Sequence, residues 1–207
     1  MDPVYLDYNA TTPVDPGVLK AMLPYLREEF GNPSSAHALG RRAHEAVEWA
    51  RGEVAALIGA SPDEIVFTGG GTEASNMAIR GAATMNPDRR AVVTTNIEHP
   101  ATEACCALLE RAGHAVRRVA AKADGLIDPA AMKAAIRNDT ALVTIIHAQN
   151  EIGTLLPVAE VSRIAHASGA LVHADAAQSI GKVPVSVDAL GVDLLSIAGS
   201  RRSVSDR

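Results

Sequence analysis

The chain has 207 residues, enough for one sizeable α/β domain with a buried core. Apolar residues make up 47%, charged residues 21% and aromatics only 3%, an ordinary globular balance in which Ala, Val, Leu and Ile do most of the packing. The net charge of −5 excludes a general attraction to nucleic acid or an anionic membrane, so an anionic ligand needs a local cradle of backbone N–H groups or Arg. The N-terminal stretch has no cationic flank or apolar core of a secretory signal, and no apolar run reaches the ~18 residues of a membrane span. In chain order, residues 4–6 read as a short strand leading into a turn that ends at Thr12-Pro13. Asp15-Pro16 reads as an N-cap with Pro in the first turn, opening a helix to about Glu29. Gly31-Asn32-Pro33-Ser34-Ser35 breaks it. Apolar residues then recur at helical spacing through Ala43, Val47, Ala50, Val54 and Leu57, and Gly59 is a plausible stop.

From there the pattern alternates. Runs rich in β-branched residues at 65–68, 92–95, 116–119, 142–147, 171–174 and 194–197 read as strands. Helical stretches at 73–83, 102–112, 129–135 and 158–168 lie between most of them. Cys105 and Cys106 fall in the second of these helices. Adjacent cysteines give no disulfide framework, and a reducing cytoplasm is the natural setting. The rhythm predicts an α/β fold with a mostly parallel sheet and helices on both faces. Such folds bind ligands beyond the C-terminal ends of the strands, so the residues after each strand are the candidates.

After 65–68 come Gly69-Gly70-Gly71-Thr72-Glu73 and a helix. Glycines let the backbone approach an anion, and a helix N-terminus offers N–H groups with a favourable dipole. The functional reading is a phosphate cradle; the plain one is a glycine-rich turn with a Thr cap. Gly69, Gly71 and Ala74 also fit G-x-G-x-x-A, but no acidic residue follows at the distance that a dinucleotide fold requires. His99 follows 92–95, where a capping role competes with a catalytic one. Gln149 and Asn150 follow 142–147, either as ligand donors or as loop braces. Asp175 ends 171–174. A carboxylate there is costly without a partner. A protonated ring nitrogen is one such partner, and an Arg or a turn N–H is another.

In order along the chain, several segments resemble the cysteine desulfurase branch of the class V aminotransferase-like enzymes, which depend on pyridoxal 5′-phosphate (PLP). They are Tyr5-Leu6-Asp7-Tyr8-Asn9-Ala10-Thr11-Thr12-Pro13, Gly31-Asn32-Pro33-Ser34-Ser35, the run from Ile65 to Glu73, Glu98-His99, Asn150-Glu151-Ile152-Gly153, His173-Ala174-Asp175-Ala176-Ala177-Gln178-Ser179, and Asp193 to Gly199. The resemblance implies the large domain of a fold type I PLP-dependent transferase over residues 15–199. Residues 1–14 would be a segment that joins a small domain, and that C-terminal small domain would be absent. It further implies that Gly71 and Thr72 hold the PLP phosphate and that His99 stacks on the ring and moves protons. Asn150 would face the ring substituents, Asp175 the pyridine nitrogen and Gln178 the phenolic oxygen. Asn9, Ala10 and Thr11 would line the substrate entrance. No metal is implied.

Full-length members of that family convert L-cysteine to L-alanine and pass sulfur through an enzyme cysteine persulfide to an acceptor or scaffold protein, feeding iron–sulfur cluster or thio-cofactor synthesis. They are homodimers. This sequence departs from them at residues 200–207. Ser200 stands where the family has His, and Arg201 where it has the Schiff-base Lys. Arginine stays protonated and cannot form the imine. The tail therefore reads as an out-of-frame or truncated end rather than a regulatory one. The family's loop Cys and carboxylate-gripping Arg are also missing. The expectation is an inactive, association-prone form that holds PLP weakly and without a covalent bond. Lys182 is read as lying in a loop that leads away from the site. Open alternatives are a selenocysteine lyase, another class V PLP enzyme, or a non-catalytic pseudo-enzyme.

Overall fold

A computed structural model describes residues 4–199; Ser200, Arg201 and the rest of the tail lie outside the described residues. Asp15 opens α1 (Pro16–Arg27), its carboxylate accepting from the N–H groups of Gly17 and Val18. His37 caps α2 (Ala38–Ile58) and Gly59 ends it. After a single 3-10 turn at Pro62–Glu64 comes α3 (Gly71–Met85). Strands and helices then alternate through β1 (Ala91–Thr95), α4 (Pro100–Arg111), β2 (Ala115–Val119), α5 (Pro129–Ala135), β3 (Thr140–Ile146), α6 (Val158–Ala167), β4 (Leu171–Asp175), α7 (Val187–Leu190) and β5 (Leu194–Ser196).

The strands form one sheet in the order β2-β1-β3-β4-β5, with every pair parallel. Side chains alternate across it. Val93, Val143, Ile145, Val172 and Ala174 pack with Met132 of α5 and with Val158, Val161 and Ala165 of α6. Val92 and Leu142 face the other way, onto Ile79, Ala82 and Ala83 of α3 and Cys105, Cys106 and Leu109 of α4. Burial on both faces explains why β1 and β3 read as β-branched runs without polar alternation, even though both carry buried threonines. The edge strand β2 is charged instead. Arg117 pairs with Asp139, and Arg118 with Glu103 and Glu110, a composition that discourages further strand pairing.

Two expected strands are not formed. Residues 65–68 have no ladder partner among the described residues, and Val66 and Phe67 are exposed. Ile65 is extended, but the segment is held by Arg51 of α2, which donates to the Ile65 carbonyl and lies 4.9 Å from the Phe67 ring centroid. Residues 4–6 are likewise unpaired and exposed. A β-branched run predicts a strand only where a neighbouring edge can take its hydrogen bonds. Among the described residues, no helix is long and apolar enough to cross a membrane.

Candidate active site

The strand order places the next neighbours of β1 on opposite sides, β2 to one and β3 to the other. In a doubly wound sheet, the C-terminal ends of strands at such a switch point leave a crevice. One cleft there, of about 160 Å³, is lined by Gly71, Thr72, Ser75, His99, Asn150, Asp175 and Gln178, with Ile146 and Ala198 among the apolar walls. A second, more open depression lies against Gly69, Gly70 and Gly71, with Asn76 and Arg80 of α3. The first cleft is the candidate site, because residues from four strand ends and a helix N-terminus converge there.

Each wall has a local cause. Gly70 sits at φ 154° and ψ 176°, a conformation essentially reserved for glycine. Glu73 reaches back to the Gly69 N–H and holds the turn. Among the described residues no side chain caps α3, so its leading N–H groups have no side-chain acceptor there. That arrangement fits the phosphate of PLP. The turn does not follow a sheet strand, which removes the dinucleotide reading of Gly69, Gly71 and Ala74.

His99 both caps α4 and lines the cleft. Its Nδ1 accepts from the Ala101 N–H at 3.1 Å, so the neutral ring carries its proton on Nε2. Gln149 braces its loop, accepting from the N–H groups of Glu151 and Ile152, while Asn150 reaches the cleft with Nδ2 on Glu151 at 2.7 Å. Asp175 ends β4 and is 7% exposed, with Oδ1 accepting from the Ala177 N–H at 2.9 Å. A buried carboxylate at one end of the cleft and helix N–H groups at another match a pyridinium that carries a phosphate. Asn9 lies at the rim, its Nδ2 donating to the Asn150 carbonyl at 3.3 Å. Ala10 and Thr11 sit in an exposed turn closed on Asp7 and do not line the cleft.

Lys182 differs from its expectation. The turns after β4 hydrogen-bond Ser179 and Ile180 back to Ala176, and Lys182 and Val183 back to Ser179. The segment therefore doubles back. Nζ of Lys182 comes to 3.1 Å from Gln178 Oε1 and 3.0 Å from Asn9 Oδ1. A spacing of four from Gln178 across a glycine-containing turn was the available signal. Ser75, three residues after Thr72 on the same helix face, was legible in the same way.

Glu98 is a second residue whose role the sequence did not disclose. Its Oε1 accepts from the Thr95 hydroxyl at 2.6 Å and the Ile146 N–H at 3.0 Å, whereas Oε2 is buried without a partner among the described residues. Burial pushes its carboxyl up to about 8, with the nearby Asp175 charge adding to the shift. His173, buried between the hydroxyls of Thr144 and Ser196 at 2.8 Å each, is pushed down to about 4 by desolvation.

These shifts have opposite signs in stability. Glu98 keeps its proton in the fold but ionises near 4.5 when unfolded, so its contribution is complete below that value and is lost as pH rises to about 8. His173 contributes fully above 6.5 and loses its contribution as pH falls to about 4. The two oppose each other between 4.5 and 6.5, and Glu98 acts alone above. The melting temperature is therefore expected to fall between pH 6.5 and 8. One pKa unit corresponds to about 1.4 kcal/mol, so the fall amounts to several degrees. Glu98→Gln, which keeps the acceptor without the charge, should flatten that limb in a melting series. An unchanged slope would show that Glu98 does not hold its proton.

The Aminotransferase class-V family model matches residues 4–201. The cysteine desulfurase IscS of Anaeromyxobacter sp. (strain K) is 51% identical over 201 residues, covering 96% of this chain and 50% of that protein. The IscS of Dictyoglomus turgidum is 47% identical over 199 residues, with the same coverage of 96% and 50%. Among solved structures, a NifS-like protein superposes with a TM-score of 0.92 at 40% identity, covering 95% of this chain and 55% of that one. SspA in complex with cysteine gives 0.91 at 40% identity, covering 95% and 57%. The chain spans about half the length of the curated relatives it matches. It belongs to the aminotransferase class V family, and the relatives it resembles within that family are cysteine desulfurases.

Proposed function

We propose that this chain carries the PLP-binding half of a cysteine desulfurase, an enzyme that takes L-cysteine to L-alanine and passes the sulfur on through a cysteine persulfide. The observation that carries the reading is the convergence of Asp175, His99, Gln178 and the uncapped start of α3 on one cleft. Bound PLP supplies an electron sink for bond breaking next to an amino group. Asp175 holds a proton on the ring nitrogen and so maintains that sink. Gly71 and Thr72 bind the phosphate, and His99 lies against the ring with a proton on Nε2 available for transfer. Gln178 donates to the phenolic oxygen, and Asn150 packs beside the ring substituents. Asn9 narrows the entrance through which an amino acid arrives.

The choice of cysteine as substrate rests on the relatives named cysteine desulfurase and on the neighbour solved with cysteine. In the whole protein, sulfur leaves to an acceptor or scaffold protein, and a reducing cytoplasm keeps the thiols available. Equilibrium dialysis of the 207-residue chain against PLP and against pyridoxal tests the phosphate part of the reading. PLP should bind at least tenfold more tightly, since charge-assisted hydrogen bonds contribute about 1.5–3 kcal/mol each. Equal affinities would remove α3 as the phosphate site.

A further inference from the structure

Glu98 lies outside every role the family resemblance gave, yet it sits where the sheet opens into the cleft. β1 stays paired with β2 as far as Thr95↔Val119, but with β3 only as far as Val93↔Val143. β3 runs on beside β4 to Ile146↔Asp175. The His147 N–H donates to the Asp175 carbonyl at 2.8 Å. Successive N–H groups along a strand point to opposite sides, so the Ile146 N–H faces the side that β1 has left. The Glu98 carboxyl fills that place. Its Oε1 accepts from the Ile146 N–H at 3.0 Å and from the Thr95 hydroxyl at 2.6 Å. It thus bridges the last residue of β1 and the last residue of β3. The next residue in the chain is His99, and His99, Ile146 and Asp175 all line the cleft.

We propose that Glu98 is a positioning residue: its carboxyl takes the place of the missing ladder partner between β1 and β3, and so sets the spacing of His99 from the Ile146 and Asp175 side of the cleft. The consequence for a ligand rests on the reading of His99 and Asp175 as contacts of the PLP ring; the bridge itself does not. In the neutral acid the oxygen that accepts both bonds is the carbonyl oxygen. The proton is then on Oε2, which is buried without a partner among the described residues. Burial favours this neutral form, and so do the charges nearby, Asp175 from β4 and Glu103 from α4. Gln reproduces the arrangement, with an acceptor at Oε1 and no charge.

The test uses the full 207-residue chain and its Glu98→Gln, Glu98→Asp and Glu98→Ala variants. Hydrogen exchange in the ligand-free chain reads the bridge. The amide to follow is Ile146, judged against Leu142, four residues earlier on the same side of β3 and inside the ladder with β1. Glu98→Ala should lower the protection of Ile146 relative to Leu142 by about tenfold, the worth of one hydrogen bond. Glu98→Asp, one methylene too short to span the gap, should do the same and serves where the Ala variant does not fold. Glu98→Gln should keep wild-type protection. Unchanged protection in the shortened variants, or a loss in Glu98→Gln equal to theirs, would overturn the bridge.

Ligand affinity reads the spacing. Glu98→Ala or Glu98→Asp should weaken PLP by about tenfold, because the cleft then holds its spacing for only a fraction of the time and the apparent affinity falls by that fraction. Pyridoxal should lose as much, since the start of α3 is untouched, and Glu98→Gln should restore both. A loss confined to PLP, or wild-type affinity in a variant whose Ile146 amide has lost its protection, would overturn the spacing role. If the wild-type chain binds no PLP, the reading of the site fails, while the exchange of Ile146 still decides the bridge.

Discussion

Asp175→Ala should cost the chain about a hundredfold or more in PLP affinity, and Asp175→Asn nearly as much. Asp175 is 7% exposed at the end of β4, where a ring nitrogen held as pyridinium would be its ionic partner. Removing one member of a buried ion pair costs about 3–5 kcal/mol, and 1.4 kcal/mol is a factor of ten. Asn keeps an acceptor for the Ala177 N–H, the bond that Oδ1 now makes at 2.9 Å. Its apo melting temperature, measured beside wild type, separates lost affinity from lost folding. A titration in which Asp175→Asn binds as well as wild type would detach the ring nitrogen from this carboxylate.

The chain of 207 residues, given PLP and L-cysteine, should release no alanine and no sulfide. After borohydride it should carry no stoichiometric pyridoxyl label. The argument is chemical. By the resemblance, the family lysine would fall at Arg201, whose guanidinium cannot form an imine. The sulfur-accepting nucleophile is a thiolate, and neither cysteine present supplies one. Both face the sheet from α4 and are buried, and burial pushes the Cys106 thiol up to about 12 and raises that of Cys105 as well. Introducing the residues that the resemblance implies, with Ser200→His and Arg201→Lys, should allow the label to form while turnover stays absent. Alanine from the unaltered chain would show that another amine and another thiol do the work.

Much of this architecture could be read before any coordinates. Strands β1, β3 and β4 are buried over nearly their whole length because helices cover both faces, so they read as short β-branched runs, and turn-rich sequence separates them from helices of clear spacing. The positions after them followed from parallel topology alone, which is how His99, Asn150 and Asp175 came to be candidates. Residues 65–68 failed for the complementary reason. Their composition suits a strand, but pairing is a tertiary matter, and an Arg51 contact holds the segment instead. The helix α7 (Val187–Leu190) was missed because four residues are too few to show a period.

Within the site, chemistry that depends on strand ends was legible, and chemistry that depends on a turn doubling back was not. Lys182 looked remote because a loop's direction is not encoded in its composition. Glu98 was visible beside His99, but nothing in the sequence indicated that its carboxyl lies buried between Thr95 and the backbone of β3.

The central claim is that the cleft at the ends of β1, β3 and β4 is a PLP site. A crystal structure of the chain grown with PLP tests it most directly. The account predicts the phosphate at the first turn of α3, on Gly71 and Thr72, and the ring beside His99 with its nitrogen within hydrogen-bond distance of Asp175. PLP bound elsewhere, or held in the cleft with its phosphate on Asp175's side and its ring nitrogen towards α3, would contradict it.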